Sequence, residues 1–173
     1  MQSFDEELDQ WLDAIMAVPK FASMTAGAQE QVEIIVTVSA QVLVIGYQKQ
    51  PKEWTTVLLE DLFFNRFVPM LDVSEKREEL FDLLPETLLT WFDVLEKNGQ
   101  LNQADQLRAW VKQHVTQLTA LYDPVADKFY AQLMSAMKTA GVNLTDTSAV
   151  SQFTKNYLEQ HPDEGQALFT KKQ

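Results

Sequence analysis

An all-α fold, a single compact bundle of about eight helices, is what this sequence predicts. Three observations predict it. The apolar centre, "QVEIIVTVSAQVLVIGYQ", carries its polar residues at helical spacing. Gly (5) and Pro (6) are scarce among 173 residues, which suits helices better than a turn-rich β protein. No segment offers a convincing strand partner for that centre.

The centre decides the class. Val32, Ile34, Val36, Val38, Ala40, Val42 and Val44 alternate as a strand would, but Ile35, Leu43 and Ile45 spoil the polar face. Glu30, Glu33, Thr37, Gln41 and Gln48 are separated by 3, 4, 4 and 7 residues. That is one narrow stripe of a helix with 3.6 residues per turn, breached only by Val44. An uninterrupted strand of that length would far exceed the usual ~5–6 residues. A membrane span needs roughly 20 mostly apolar residues, and Glu33, Thr37, Ser39 and Gln41 interrupt this run. The expectation is a buried central helix near 25–49.

The other elements follow from punctuation. Ser3 with Glu6 forms a capping box, Asp5, Glu6 and Glu7 suit the positive helix end, and Pro19 ends the first helix. Its apolar residues are Phe4, Leu8, Trp11, Leu12, Ile15 and Met16. Pro51 is expected at the first position of a helix running to about Asn65, with Trp54, Val57, Leu58, Leu62 and Phe63 inward. "FVPMLDV" reads as an apolar connection broken by Pro69. Ser74 is expected to cap "EKREELFDLL". Pro85 then opens "PETLLTWFDVLEKNG", as one kinked helix with the former or as a second one, with Gly99 just past its end. Asn102 is expected to cap a helix from Gln103 to about Leu121, with Leu107, Trp110, Val111, Val115 and Leu118 inside.

Asp123-Pro124 is a cap followed by a first-turn proline. Its helix carries Phe129, Tyr130, Leu133, Met134 and Met137 and ends at Gly141. A last helix starts near Asp146 or Thr147, with Val150, Phe153, Tyr157 and Leu158 on its apolar side, and stops at Pro162. "DEGQALF" is read as a final turn and "TKKQ" as a frayed tail. The organisation is a single domain, 1–173, with a subdivision open near 100–123.

Charge and composition narrow the function. The net charge is −11, and residues 1–100 hold 18 acids and 7 bases. Such a surface repels phosphate backbones and anionic membranes, so neither nucleic acid nor membrane is an expected partner. The N-terminus lacks the basic and apolar regions of a secretory signal, and Cys is absent. The reading is a cytoplasmic protein of bacterial style.

Reactive groups are few. The histidines are His114 and His161, and both read as structural or surface residues. Neither follows a Glu three residues earlier, as a helical di-iron site would require. Glu75, Glu78, Glu79 and Asp82 share a helix face, but Lys76 and Arg77 sit among them, and the expectation is a solvated face. "DPVADKF" lacks the Gly and distal Glu of a calcium loop. No G-x-S-x-G or phosphate-cradling Gly loop is present. No catalytic residue, metal ligand or cofactor is expected. Leu-x-x-Trp occurs three times (Leu8/Trp11, Leu88/Trp91, Leu107/Trp110), at irregular intervals, and reads as packing pairs.

"LEDLFFNRFVPML" stands out. With Trp54 before it, Phe63, Phe64, Arg66, Phe67 and Met70 form either a buried connection or a groove or self-association surface, where aromatics, Met and Arg are enriched. Two functions are therefore expected. One is a non-enzymatic domain that binds a protein partner or itself as a homo-oligomer. The alternative is a small-ligand binder, of regulatory type, with an apolar pocket.

From Trp54 onward, "EWTTVLLEDLFFNRFVPML", "LLPETLLTWFDVLEKNGQL" and "AGVNLTDTSAVSQF" together resemble an uncharacterised bacterial helical segment. That segment belongs to plasmid-type open reading frames and to proteins bearing SEC-C metal-binding tails. The resemblance covers about two thirds of the chain and rests on Trp, Pro and Gly landmarks. It implies an all-helical fold and no particular activity. The SEC-C signature needs cysteines, so its metal binding does not carry over.

Overall fold

The computed structural model describes residues 2–164. Every regular element among them is helical, and the described residues contain no strand. The chain divides into two compact units, one through Tyr122 and one from Asp123 onward. The expected final turn and tail lie, from residue 165, outside the described residues.

The first unit is built on two long helices. Helix α1 (Phe4–Met16) starts with the expected capping box: Ser3 Oγ accepts from the Glu6 N–H, and Glu6 accepts from the Ser3 N–H, both at 3.2 Å. A single turn, α2 (Pro19–Ala22), follows Val18. Helix α3 (Ala26–Ala40), capped by Thr25, continues without a break into a π-helical segment, Gln41–Gly46. This is the predicted central helix, and Val32, Ile35, Val36, Val38 and Leu43 on it are buried. By length and composition alone, Ala26–Gly46 is long and apolar enough to cross a membrane. Here its main neighbour is α6 (Glu78–Lys97).

Pro85 lies inside α6, so the two segments flanking it are one helix. Proline in a helix interior costs about 3 kcal/mol. Leu80, Phe81, Leu84, Leu88, Trp91 and Phe92 are fully buried on either side of it, and each such burial contributes roughly 1.5–3 kcal/mol. Tertiary packing outweighs the local penalty. The three Leu-x-x-Trp pairs are all buried. Trp11 and Trp91 join Trp54 in a three-indole cluster with centroids 5.1, 5.7 and 6.3 Å apart. Trp11 donates to Gln100 Oε1 and Trp54 to the Lys49 carbonyl.

Several boundaries differ from expectation. Pro51 opens only a 3₁₀ turn, Pro51–Glu53; α4 (Thr56–Asp61) starts after the Thr55 cap. The later start changes the phase, and Val57 is 73% exposed rather than inward. A second π-helical segment, Leu62–Arg66, then leads into α5 (Phe67–Met70), so "FVPM" is helical and not a loose connection. Ser74 caps nothing. Asp72 forms a capping box with Glu75 around a 3₁₀ turn, and α6 starts at Glu78. Asn102 donates to the Lys52 carbonyl instead of capping α7 (Ala104–Gln113). The predicted 103–121 helix breaks at His114 into α7 and α8 (Val115–Thr119), which leaves Val115 exposed. Arg108, mostly buried, ties α7 to α6 through Asp93 and Glu96, and also pairs with Asp105.

The second unit holds α9 (Pro124–Ala140) and α10 (Thr147–Gln160). Asp123 and Asp146 cap them as expected, and Gly141 ends α9 with φ +73°. Among the described residues, Phe129, Leu133 and Met137 are buried here, with Val150, Phe153, Tyr157 and Leu158 packed against them. Tyr130 and Met134 are exposed.

Candidate functional site

The two π-helical segments face each other in the first unit. In a π turn the N–H reaches back five residues instead of four. Tyr47 donates to the Val42 carbonyl at 2.8 Å and Phe67 to the Leu62 carbonyl in this way. The second segment has a local cause. In α geometry the ring of Pro69, in the turn that follows, would press on the Asn65 carbonyl, which disfavours an unbroken α-helix through this segment. π turns inside helices occur frequently at functional sites.

A groove of about 660 Å³ lies between these segments and α5. Its apolar walls are Val42, Ile45, Pro69 and Met70, and its polar lining includes Tyr47 and Arg66. Ile45 is 59% and Met70 52% exposed. Behind the lining, Asp61 gathers three donors: the Tyr47 hydroxyl, Asn65 Nδ2 at 2.9 Å and Arg66 Nε at 2.8 Å. The Arg66 guanidinium carbon also sits 5.6 Å from the centre of the Tyr47 ring. The hydrogen bonds from Tyr47, Arg66 and Asn65 hold the Asp61 carboxyl far below the ordinary carboxylate range. Burial, with the Asp61 carboxylate beside it, pushes the Tyr47 hydroxyl up. Asp61 pushes Arg66 up as well. The cluster is thus a fixed ion pair at neutral pH, and it offers no group poised to exchange a proton there.

The structure separates the residues that the sequence grouped together. Trp54, Phe63 and Phe67 are fully buried and belong to the core. Phe63 packs on Phe67 at 5.3 Å, and Phe67 packs edge-on against Phe81. Phe64 is 40% exposed and rests on Trp110 and His114. Only Arg66 and Met70 of the six line the groove. The groove's other wall, from Gln41 to Tyr47, belongs to the segment that the sequence predicts as buried central helix. Its signal was present: the polar stripe fades after Gln41, and Val44 and Ile45 continue an apolar surface past it.

The remaining reactive groups lie elsewhere. His114 donates its Nδ1–H to the Trp110 carbonyl at 2.7 Å and stacks on that indole at 4.5 Å. His161 ends α10 and stacks on Tyr157 at 4.2 Å. Among the described residues, no group of three or more His, Asp or Glu side chains is placed to share a metal ion. Glu78, Glu79 and Asp82 are exposed, whereas Glu75, expected on the same solvated face, is half-buried and accepts from the Asp72 N–H.

Fold and groove together define the class: an all-α protein with an open, largely apolar groove beside a buried aromatic core. Comparison with family models, curated proteins and solved structures finds no match to this chain.

Proposed function

We propose that the protein is a non-enzymatic binder of a small, largely apolar ligand held between the two π-helical segments. The groove itself carries this reading: about 660 Å³ falls within the roughly 300–1,000 Å³ of small-molecule sites. Its exposed Ile45 and Met70 face a cleft that the chain leaves open. Nile red, a neutral apolar fluorophore, is the test. The intact chain is expected to take it up with a blue-shifted emission. Ile45→Asp together with Met70→Asp should weaken uptake at least tenfold while leaving helical circular dichroism intact. Unchanged uptake by that folded variant overturns the reading.

A second reading, association between copies, is favoured by a different surface. Tyr130 and Met134, one turn apart on α9, and Leu144 after it are all about half exposed. Sedimentation velocity of Met134→Glu against the unmodified chain tests it. A dimer that dissociates in the variant supports this reading, and a monomer in both ends it.

A further inference from the structure

We propose that the groove ligand is an amphiphilic monoanion, with a carboxylate head placed at Arg66 and an apolar tail along Val42, Ile45, Pro69 and Met70. The inference deepens the binding proposal and rests on it.

Charge complementarity selects the head group. Among the described residues, Arg66 is the one ionised side chain lining the groove; Asp61, its partner, lies outside the lining. The Asp61–Arg66 pair thus presents its cationic partner to an otherwise uncharged lining. A cationic head would meet Arg66 with no acid in the lining to offset it. A neutral head would leave the guanidinium fork unmatched.

Geometry selects the carboxylate. A guanidinium has five N–H donors in a rigid plane. Asp61 takes Nε, and the Tyr47 ring flanks the guanidinium carbon. The Nη hydrogens not engaged by the Tyr47 hydroxyl are left, and a guanidinium fork matches the two oxygens of a carboxylate. Arg66 has Asp61 as its one ion pair among the described residues, so the fork is already oriented but not neutralised from the groove side. A dianionic phosphate fits less well. The groove offers it a single cation, and residues through Tyr122 carry 19 acids against nine bases, a field that penalises each added negative charge.

The experiment displaces Nile red from the full chain with decanoate, decanol, decylamine and decyl phosphate, all below their aggregation concentrations. Decanoate is expected to displace at concentrations at least tenfold lower than decanol or decyl phosphate, with decylamine weakest. Arg66→Met should bring decanoate level with decanol. Arg66→Lys, which keeps the charge and loses the fork, should retain only part of the preference. Equal displacement by decanoate and decanol in the unmodified chain overturns the carboxylate assignment and leaves the groove reading standing. So does a preference that survives Arg66→Met. Probe uptake that is also insensitive to Ile45→Asp with Met70→Asp removes both.

Discussion

Two helix pairs in this chain bury their apolar faces to very different depths. Helices α3 and α6 sit in a core of 31 buried apolar side chains, which includes all four tryptophans. Helices α9 and α10 share three, and none of those belongs to α10. The local devices do not favour the first pair: α9 and α10 are both capped by an Asp side chain, whereas α3 is capped by Thr25 and α6 has no side-chain cap. What differs is enclosure. Capping contributes about 1 kcal/mol per helix end, whereas a buried large side chain contributes roughly 1.5–3 kcal/mol. The first pair can therefore absorb an interior proline and a π turn; the second has no such reserve.

The largest expected effect follows from that difference. Trp91 is fully buried and touches Trp11, Trp54 and Phe92. Trp91→Ala should destabilise the first unit by about 3–5 kcal/mol, the range for deleting a large core aromatic. Hydrogen exchange checks it: protection should fall along α1, α3 and α6 while α9 and α10 keep theirs. Equal loss in all of them would show that the two units unfold as one.

The reciprocal change is smaller. Leu133→Ala removes one of the three buried side chains described for the second unit and should cost that unit about 2–3 kcal/mol. With so small a core, such a loss should expose most amides of α9 and α10 to exchange and leave α3 and α6 untouched. A cost below about 1 kcal/mol would mean that Leu133 is replaced in place by its neighbours, and the contrast between the pairs would weaken.

How much of this was legible beforehand depended on the range of the deciding interaction. Ser3, Thr25, Asp123 and Asp146 sit within three residues of the amides they cap. Helix starts of that kind can be read locally. The polar stripe from Glu30 to Gln41 identified α3 because a helix with one solvent edge must repeat at 3.6 residues. Pro85 was ambiguous because its local penalty and its burial point in opposite directions, and burial depends on residues far away in sequence. The groove was half legible. Arg66 and Met70 stood out by residue type, but a π turn shifts one hydrogen bond from four residues to five and leaves no mark in composition. Trp54, Phe63 and Phe67 were grouped with them by proximity in sequence. Their burial in the core was decided by partners such as Trp91 and Phe81, on another helix.

The smallest effects compare how the two units end a helix. Helix α9 stops at Gly141 in the left-handed conformation, where glycine carries no steric penalty. The central helix ends differently: Gly46 is still helical, and Gln48 takes the left-handed turn with φ +58°. The Lys49 N–H then reaches back to the Leu43 carbonyl at 3.0 Å and closes the end. A residue with a Cβ held there carries roughly 1–2 kcal/mol of strain. The opposite substitutions should therefore have opposite signs. Gly141→Ala should destabilise by about 1 kcal/mol. Gln48→Gly should stabilise by somewhat less, about 0.5–1 kcal/mol, because glycine also gains freedom in the unfolded chain. Chemical denaturation of the two variants side by side reads both. The Gln48 position also lies next to Tyr47, whose hydroxyl anchors Asp61 behind the groove. If Gln48→Gly raises stability yet weakens Nile red uptake, the strained turn serves to aim Tyr47. If uptake is unchanged, the strain is only how this helix happens to end.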